Sequence, residues 1–276
     1  MIREFLTYLR SIRGYSENTT RAYGKDLSEF SQWAKESIDH ARWSTLTRED
    51  IDKFLIHQAE RGLKPSTTNR QLSAISSLYG YFMREGLIDH NPCKYESRRK
   101  QPQTMPNIIS VEAIRKAYNK AQGMTKTMLG LLATTGIRLQ EMLDLRWQDI
   151  DFENAQLRIM GKGSKERIVQ TDASVLTQLA QVRQYARPDM RLFYVGQRHT
   201  RYLIYEALKP YSNSRQLSPH AIRHTFATEL AKNGETTTTI AKILGHSHLE
   251  TSQKYINMAE IAAPRHAISL TLSHVQ

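Results

Sequence analysis

Arg138, Lys162, His220, Arg223, His246 and Tyr255 together hold two planar guanidiniums, one ammonium, two imidazoles and a phenol. That set suits chemistry on a phosphodiester. A tyrosine hydroxyl ionises only near a pKa of about 10, so at neutral pH it needs help to act as a nucleophile. Attack on phosphorus puts extra negative charge on the nonbridging oxygens. Two always-charged, fork-shaped arginines can stabilise that charge without a metal. An imidazole beside the phenol and a lysine beside the departing oxygen can move the protons.

Each local pattern has a plainer reading when taken alone. Arg138 follows Thr134-Thr135-Gly136-Ile137, with Glu141 three residues later on the same helical face. Such a pair by itself reads as a surface salt bridge. Lys162 sits in the glycine-flanked turn Gly161-Lys162-Gly163-Ser164-Lys165-Glu166, which by itself reads as a solvated loop. His220 and Arg223 lie three apart at a capped helix start, where the helix dipole favours a phosphate. Leu244-Gly245-His246-Ser247-His248 precedes Tyr255, which stands nine residues after His246. The pairs His220/His224 and His246/His248 raise zinc as an alternative. With no HExxH pattern and one cysteine, Cys93, no metal site is expected, and His224 and His248 read as supporting groups.

Helical periodicity runs through the first hundred residues. Ile2, Phe5, Leu6, Leu9 and Ile12 share one face, as do Tyr23, Leu27, Phe30 and Ala34 after the cap Ser16. Thr47 and Asp50 form a capping box ahead of Ile51, Phe54 and Leu55, and Gly62 stops that helix. A fourth helix follows Pro65-Ser66, repeats Leu72, Ile75, Tyr79 and Phe82, and ends at Gly86. These make a four-helix bundle over 1–95. Arg21, Lys25, Lys64 and Arg70 fall off its apolar faces and suit phosphate contacts. Residues 96–106, with two prolines and the run Arg98-Arg99-Lys100, read as a linker. Extended, such a linker reaches roughly 36–40 Å, enough to pass around a duplex.

The remainder, 107–276, reads as mixed but mainly helical. Helical patterns cover about 110–121 and 124–135, and another follows Gly136. Leu157–Met160 and Arg167–Gln170 form a hairpin. Further helices are expected over about 172–186, 200–210, 219–232, 236–244 and 250–258, with Ser218-Pro219 capping the third of these. The fold class is thus mainly α with a small β-hairpin or sheet in the second domain.

Composition narrows the partner. The chain has 276 residues with 39 Lys plus Arg, 27 Asp plus Glu and a net charge of +12. That charge divides as +4 over 1–105 and +8 over 106–276, without a long like-charge block. A polyanion, above all nucleic acid, is the expected partner. The start does not follow a signal-peptide plan, and no apolar run nears the roughly 18 residues of a membrane span. With one cysteine, a reducing, cytoplasmic compartment is expected.

In order and spacing, TTGIRLQEMLDL, GKGSKER, LSPHAIRHTFATELAKNG and LGHSHLETSQKYINM resemble the tyrosine recombinase (phage integrase) family, in the style of its Xer-type members. SENTTRAYGKDLSEFSQWA and NRQLSAISSLYGYFMREGLIDHNPC are similar to the family's SAM-like core-binding domain. The stretch 187–212 and the tail after Met258 are the least similar. The resemblance implies a site-specific recombinase that cleaves and rejoins strands through a 3′-phosphotyrosine, without metal, ATP or another cofactor. In that reading Arg138 and Arg223 clamp the phosphate, Lys162 serves the leaving oxygen, and His220 assists proton movement. His246 bonds the phosphate, Tyr255 attacks, and Glu141 orients Arg138. It further implies double-stranded DNA with an inverted-repeat site and a homotetramer on paired sites, with monomer or dimer when free. The apolar tail, Ala262 to Gln276 with Ile268, Leu270 and Leu272, would dock on a neighbouring protomer or fold back on its own. A type IB topoisomerase or a non-catalytic DNA-binding regulator is the alternative. The complete residue set speaks against the regulator and the recombinase-like first domain against the topoisomerase.

Overall fold

The computed structural model describes residues 1–39, 41–94, 98–100, 106–161, 166–183, 186–246 and 248–262, with the side chains of 260–262 left aside. The chain divides into two compact units, Met1–Gln103 and Thr104–Gln276. Among the described residues no helix is long and apolar enough to cross a membrane.

The first unit contains α1 (Ile2–Ser11), α2 (Glu17–Ser37), α3 (Arg48–Glu60) and α4 (Pro65–Arg84). Local signals set their starts. Ser16 accepts the Thr19 N–H, and Thr47 and Asp50 exchange bonds as a capping box. Pro65 occupies the first turn of α4, where its missing N–H costs nothing. Phe5, Leu27, Phe30, Ile51, Phe54, Ile75, Leu78 and Tyr79 close the core. Arg70 and the buried Asp26 bridge α4 to α2 with two bonds, 2.8 and 2.9 Å.

The second unit contains α5 (Val111–Lys120), α6 (Gly123–Thr135), α7 (Leu139–Asp144), α8 (Ala173–Arg183), α9 (Gln197–Leu208), α10 (Pro219–Lys232), α11 (Thr237–Leu244) and α12 (Glu250–Ala262). Its antiparallel sheet runs β1 (Ile150–Asp151), β2 (Gln156–Met160), β3 (Glu166–Gln170). The hairpin expectation is met by β2 and β3, and β1 is an addition that the sequence did not signal. The register pairs Leu157 with Val169 and Ile159 with Arg167. Leu157, Ile159 and Val169 are buried, so Arg167 stands on the inward face of its strand while Ile168 faces solvent.

The main core joins α5, α6, the sheet, α8, α9 and the start of α10. A smaller one joins α10, α11 and α12 through Ala227, Ile240, Leu244 and Tyr255. Helix α10 contributes to both, and its span from Ala221 to Thr225 is buried throughout. The tail beyond Ala262 lies outside the described residues, as do positions 96–97 and 101–105 of the expected linker.

Candidate active site

Two turns and one strand converge here: the turn after α6, the turn after α11, and the inward face of β3. Gly136 ends α6 with φ +61, the left-handed conformation that glycine adopts freely. A methyl group there would collide with the Phe226 ring, so the turn also needs the missing side chain. The chain then reverses, and Arg138 becomes the N-cap of α7.

Glu141 fixes Arg138 twice. Its Oε2 accepts the Arg138 backbone N–H and its Oε1 accepts Nη1, each at 2.8 Å. Arg138 Nη2 donates to the Gly245 carbonyl at 2.9 Å. Arg223 reaches the same turn from α10: it donates Nη1 to the Gly136 carbonyl at 2.6 Å and Nη2 to the Leu244 carbonyl at 2.8 Å. The two guanidiniums therefore sit on consecutive carbonyls. Burial, followed by the charge of Arg138, lowers Arg223 to about 10, which leaves it protonated at neutral pH.

His246 completes that turn. Its Nε2 lies 3.0 Å from Arg223 Nη2 and its Nδ1 lies 2.7 Å from Ser252 Oγ. Because a guanidinium only donates, Nε2 carries the lone pair and Nδ1 carries the proton. Burial and the arginines hold the ring neutral, with its pKa lowered to about 4. Tyr255, on α12, is fully buried, and its hydroxyl lies 2.8 Å from His224 Nδ1. Burial raises the phenol pKa against the pull of Arg223 and Arg138. The Lys254 ammonium lies 5.1 Å from the Tyr255 ring centre.

His220 stays exposed in the first turn of α10, its ring edge-on to His224 at 4.2 Å. Partial burial and the Arg223 charge lower its pKa. Lys162 lies outside the described residues, between Met160 of β2 and Glu166 of β3. A cleft of about 720 Å³ opens among Arg138, Glu141, Gly161, Arg167, Gly245 and His246. Among the described residues, no group of three His, Cys, Asp or Glu side chains is placed to hold a metal.

The site thus gathers Arg138, Glu141, Arg223, His246 and Tyr255, with His220 at its margin. Sequence reading missed Arg167, whose fork meets Glu141, and Ser252, which fixes the His246 tautomer. For Arg167 a signal existed: it takes an apolar position in the alternation with Val169.

The basic residues expected to meet DNA lie on the first unit. Arg21 pairs with Glu17, Lys25 and Lys64 are exposed, and Arg70 binds Asp26 with its fork. Arg98, Arg99 and Lys100 are exposed beside α4. There the Asn69 amide accepts the Arg99 N–H and donates to its carbonyl, both at 2.9 Å.

Comparison with known proteins bears on the family and the fold. The phage integrase family matches residues 107–260, and the phage integrase N-terminal SAM-like domain matches residues 2–86. Tyrosine recombinase XerD of Proteus mirabilis is 31% identical over 94% of this chain and 88% of its own length. XerD of Listeria innocua is 29% identical over 95% of each. Among solved structures, XerH recombinase bound to palindromic difH substrate superposes with TM-score 0.75 at 19% identity, covering 95% of this chain and 82% of its own. A lambda integrase dimer bound to a COC′ core site gives 0.69 at 16%, covering 92% and 93%. The chain belongs to the phage integrase family. Within it, this is a Xer-like site-specific tyrosine recombinase, an enzyme that breaks and rejoins DNA.

Proposed function

We propose that Tyr255 attacks a DNA phosphodiester and forms a 3′-phosphotyrosine, releasing a 5′-hydroxyl that later reverses the step on a second strand. The phenolic oxygen forms the new bond to phosphorus as the bond to the 5′ oxygen breaks. The phenol proton leaves through the His220 side of the pocket, and Lys162 protonates the departing oxygen. Arg138 and Arg223 hold the nonbridging oxygens, Glu141 orients Arg138, and His246 bonds the same phosphate in the tautomer that carries its proton on Nε2, with Ser252 Oγ then donating to Nδ1. The bond energy stays in the phosphotyrosine, so rejoining needs no nucleotide cofactor. The observation that carries this reading is the seating of both guanidiniums on the adjacent carbonyls of Leu244 and Gly245, one turn that also bears His246.

Double-stranded DNA is the substrate, with an inverted-repeat site held in a clamp. The first unit contributes Arg21, Lys25, Lys64 and Arg70, and the 96–106 linker contributes Arg98, Arg99 and Lys100. Solved neighbours bound to recombination sites and the net charge of +12 support this. A homotetramer on two sites carries out exchange, and the tail from Ala262 links protomers head to tail.

Covalent trapping tests the reading. DNA recovered from denatured adducts in the native host is sequenced, and a nicked duplex is built on the recovered site. Wild-type protein yields an adduct on a denaturing gel. Tyr255→Phe binds that duplex equally well and yields none. An adduct from Tyr255→Phe overturns the assignment of the nucleophile.

A further inference from the structure

Arg167 is a charged side chain in an apolar strand position, and its side chain is 12% exposed. Such burial is costly for a cation unless it is fully paired. The pairing is specific. Nη1 and Nη2 meet Glu141 Oε1 and Oε2 at 3.0 and 2.7 Å, a bidentate fork, and Nε donates to the Ile243 carbonyl at 2.9 Å. The guanidinium also packs against the backbone of Gly245. A methyl group added there would stand 2.9 Å from Nη1 and 3.1 Å from Cζ. Gly245 has φ +65, so the α11 turn both requires glycine and leaves room for the arginine.

This single side chain therefore ties three pieces together: strand β3, the carboxylate that orients Arg138, and the 243–246 turn. The charges matter as much as the contacts. Glu141 bonds two guanidiniums at once, and its fork is complete with Arg167 alone. Burial by itself would raise the Glu141 pKa, but the bonds from Arg167 and Arg138 outweigh it and keep the carboxylate ionised. With its charge met by Arg167, Glu141 orients Arg138 without cancelling it. Arg138, with 42% of its side chain exposed, keeps its positive charge toward the cleft.

We propose that Arg167 is a positioning residue for phosphoryl transfer, neutralising Glu141 and bracing the turn that seats Arg138, Arg223 and His246. The inference rests on the reading of Arg138 and Arg223 as the phosphate clamp. It adds a residue whose fork and Nε are taken up by Glu141 and the Ile243 carbonyl, and which acts through Glu141 and the Gly245 turn.

The test uses full-length protein and the nicked duplex recovered by covalent trapping. It measures single-turnover adduct formation, duplex affinity by anisotropy, and thermal melting for Arg167→Met, Arg167→Lys, Glu141→Gln and the double variant Arg167→Met/Glu141→Gln. Arg167→Met is expected to cleave roughly 10²-fold more slowly, the scale of a misplacement of about an ångström, with affinity within roughly threefold. Arg167→Lys stays roughly tenfold or more below wild type, because an ammonium cannot make the fork and the Ile243 bond together. The double variant cleaves roughly tenfold faster than Arg167→Met, since the carboxylate left to cancel Arg138 is gone. A merely structural arginine gives losses that add. Additive losses, or wild-type cleavage by Arg167→Met or Arg167→Lys, overturn the proposal. Should Arg167→Met fail to fold, Arg167→Lys and Arg167→Lys/Glu141→Gln carry the same comparison. Failure of the Tyr255 reading shows separately, as an adduct formed by Tyr255→Phe.

Discussion

The Tyr255 hydroxyl and His224 Nδ1 lie 2.8 Å apart across two helices, α12 and α10, in a pocket that leaves the tyrosine 1% exposed. Burial and the neighbouring His220 push His224 down to about 3, so the imidazole is neutral, while burial raises the phenol. A neutral imidazole has one bare nitrogen, and in the tautomer with that lone pair on Nδ1 it accepts the phenol O–H. His224 orients the hydroxyl and is too weak a base to deprotonate it.

Removing that acceptor leaves a buried hydroxyl unpaired. His224→Leu is expected to lower stability by about 1–3 kcal/mol, against a smaller loss for His224→Asn, whose amide oxygen can stand near the Nδ1 position. Urea unfolding of both variants, each alone and combined with Tyr255→Phe, measures the coupling. Equal losses for His224→Leu with and without the Tyr255→Phe change would show that the bond contributes nothing.

Acid should destabilise the second unit through the buried His224 and the half-buried His246. In the unfolded chain His224 and His246 take up protons near 6.5, and in the folded one only near 3 and 4. The unfolded state binds more protons in between, so stability is complete above about 6.5 and falls as pH drops toward 4. The slope is at most about 1.4 kcal/mol per pH unit for each histidine. Melting temperature followed from pH 8 to 4.5 checks this, and His224→Asn should flatten the curve. An unchanged slope in that variant assigns the acid sensitivity elsewhere.

Arg223→Lys keeps a charge but not a planar fork. One ammonium cannot span the carbonyls of Gly136 and Leu244 together with His246. Adduct formation should fall roughly 10²–10³-fold, with DNA affinity little changed. Full cleavage by the lysine variant would mean that Arg223 acts only as a point charge.

In the first unit, Arg70→Met strands the Asp26 carboxylate, which is 2% exposed as a side chain. The expected cost is about 1–3 kcal/mol, reduced from that of a fully buried pair because Arg70 is half exposed. Asp26→Asn in the Arg70→Met background should recover part of it. A melting temperature unaltered by Arg70→Met would leave this arginine to DNA contact alone.

Local features were legible in the residues alone. Ser16, Thr47 with Asp50, and Ser218-Pro219 mark helix starts through bonds spanning three residues, and α10 begins and ends where expected. The order and spacing of Arg138, Glu141, His220, Arg223, His246 and Tyr255 carried the resemblance to the phage integrase family, and the resemblance implied the chemistry; residue type alone supplied only charge and nucleophilicity. The closed fold settled what depends on distant partners. Strand β1 has two residues and exists only through its register with β2. Helix α9 begins at Gln197, ahead of the expected 200, and α12 runs to Ala262 instead of about 258. Arg70 pairs with Asp26 forty-four positions away, Tyr255 with His224 thirty-one away, and Arg167 with Glu141 twenty-six away. No periodicity encodes such pairs. Each arises because a buried charge or hydroxyl must find a partner once the chain has closed around it, and only the closed chain shows which one is within reach.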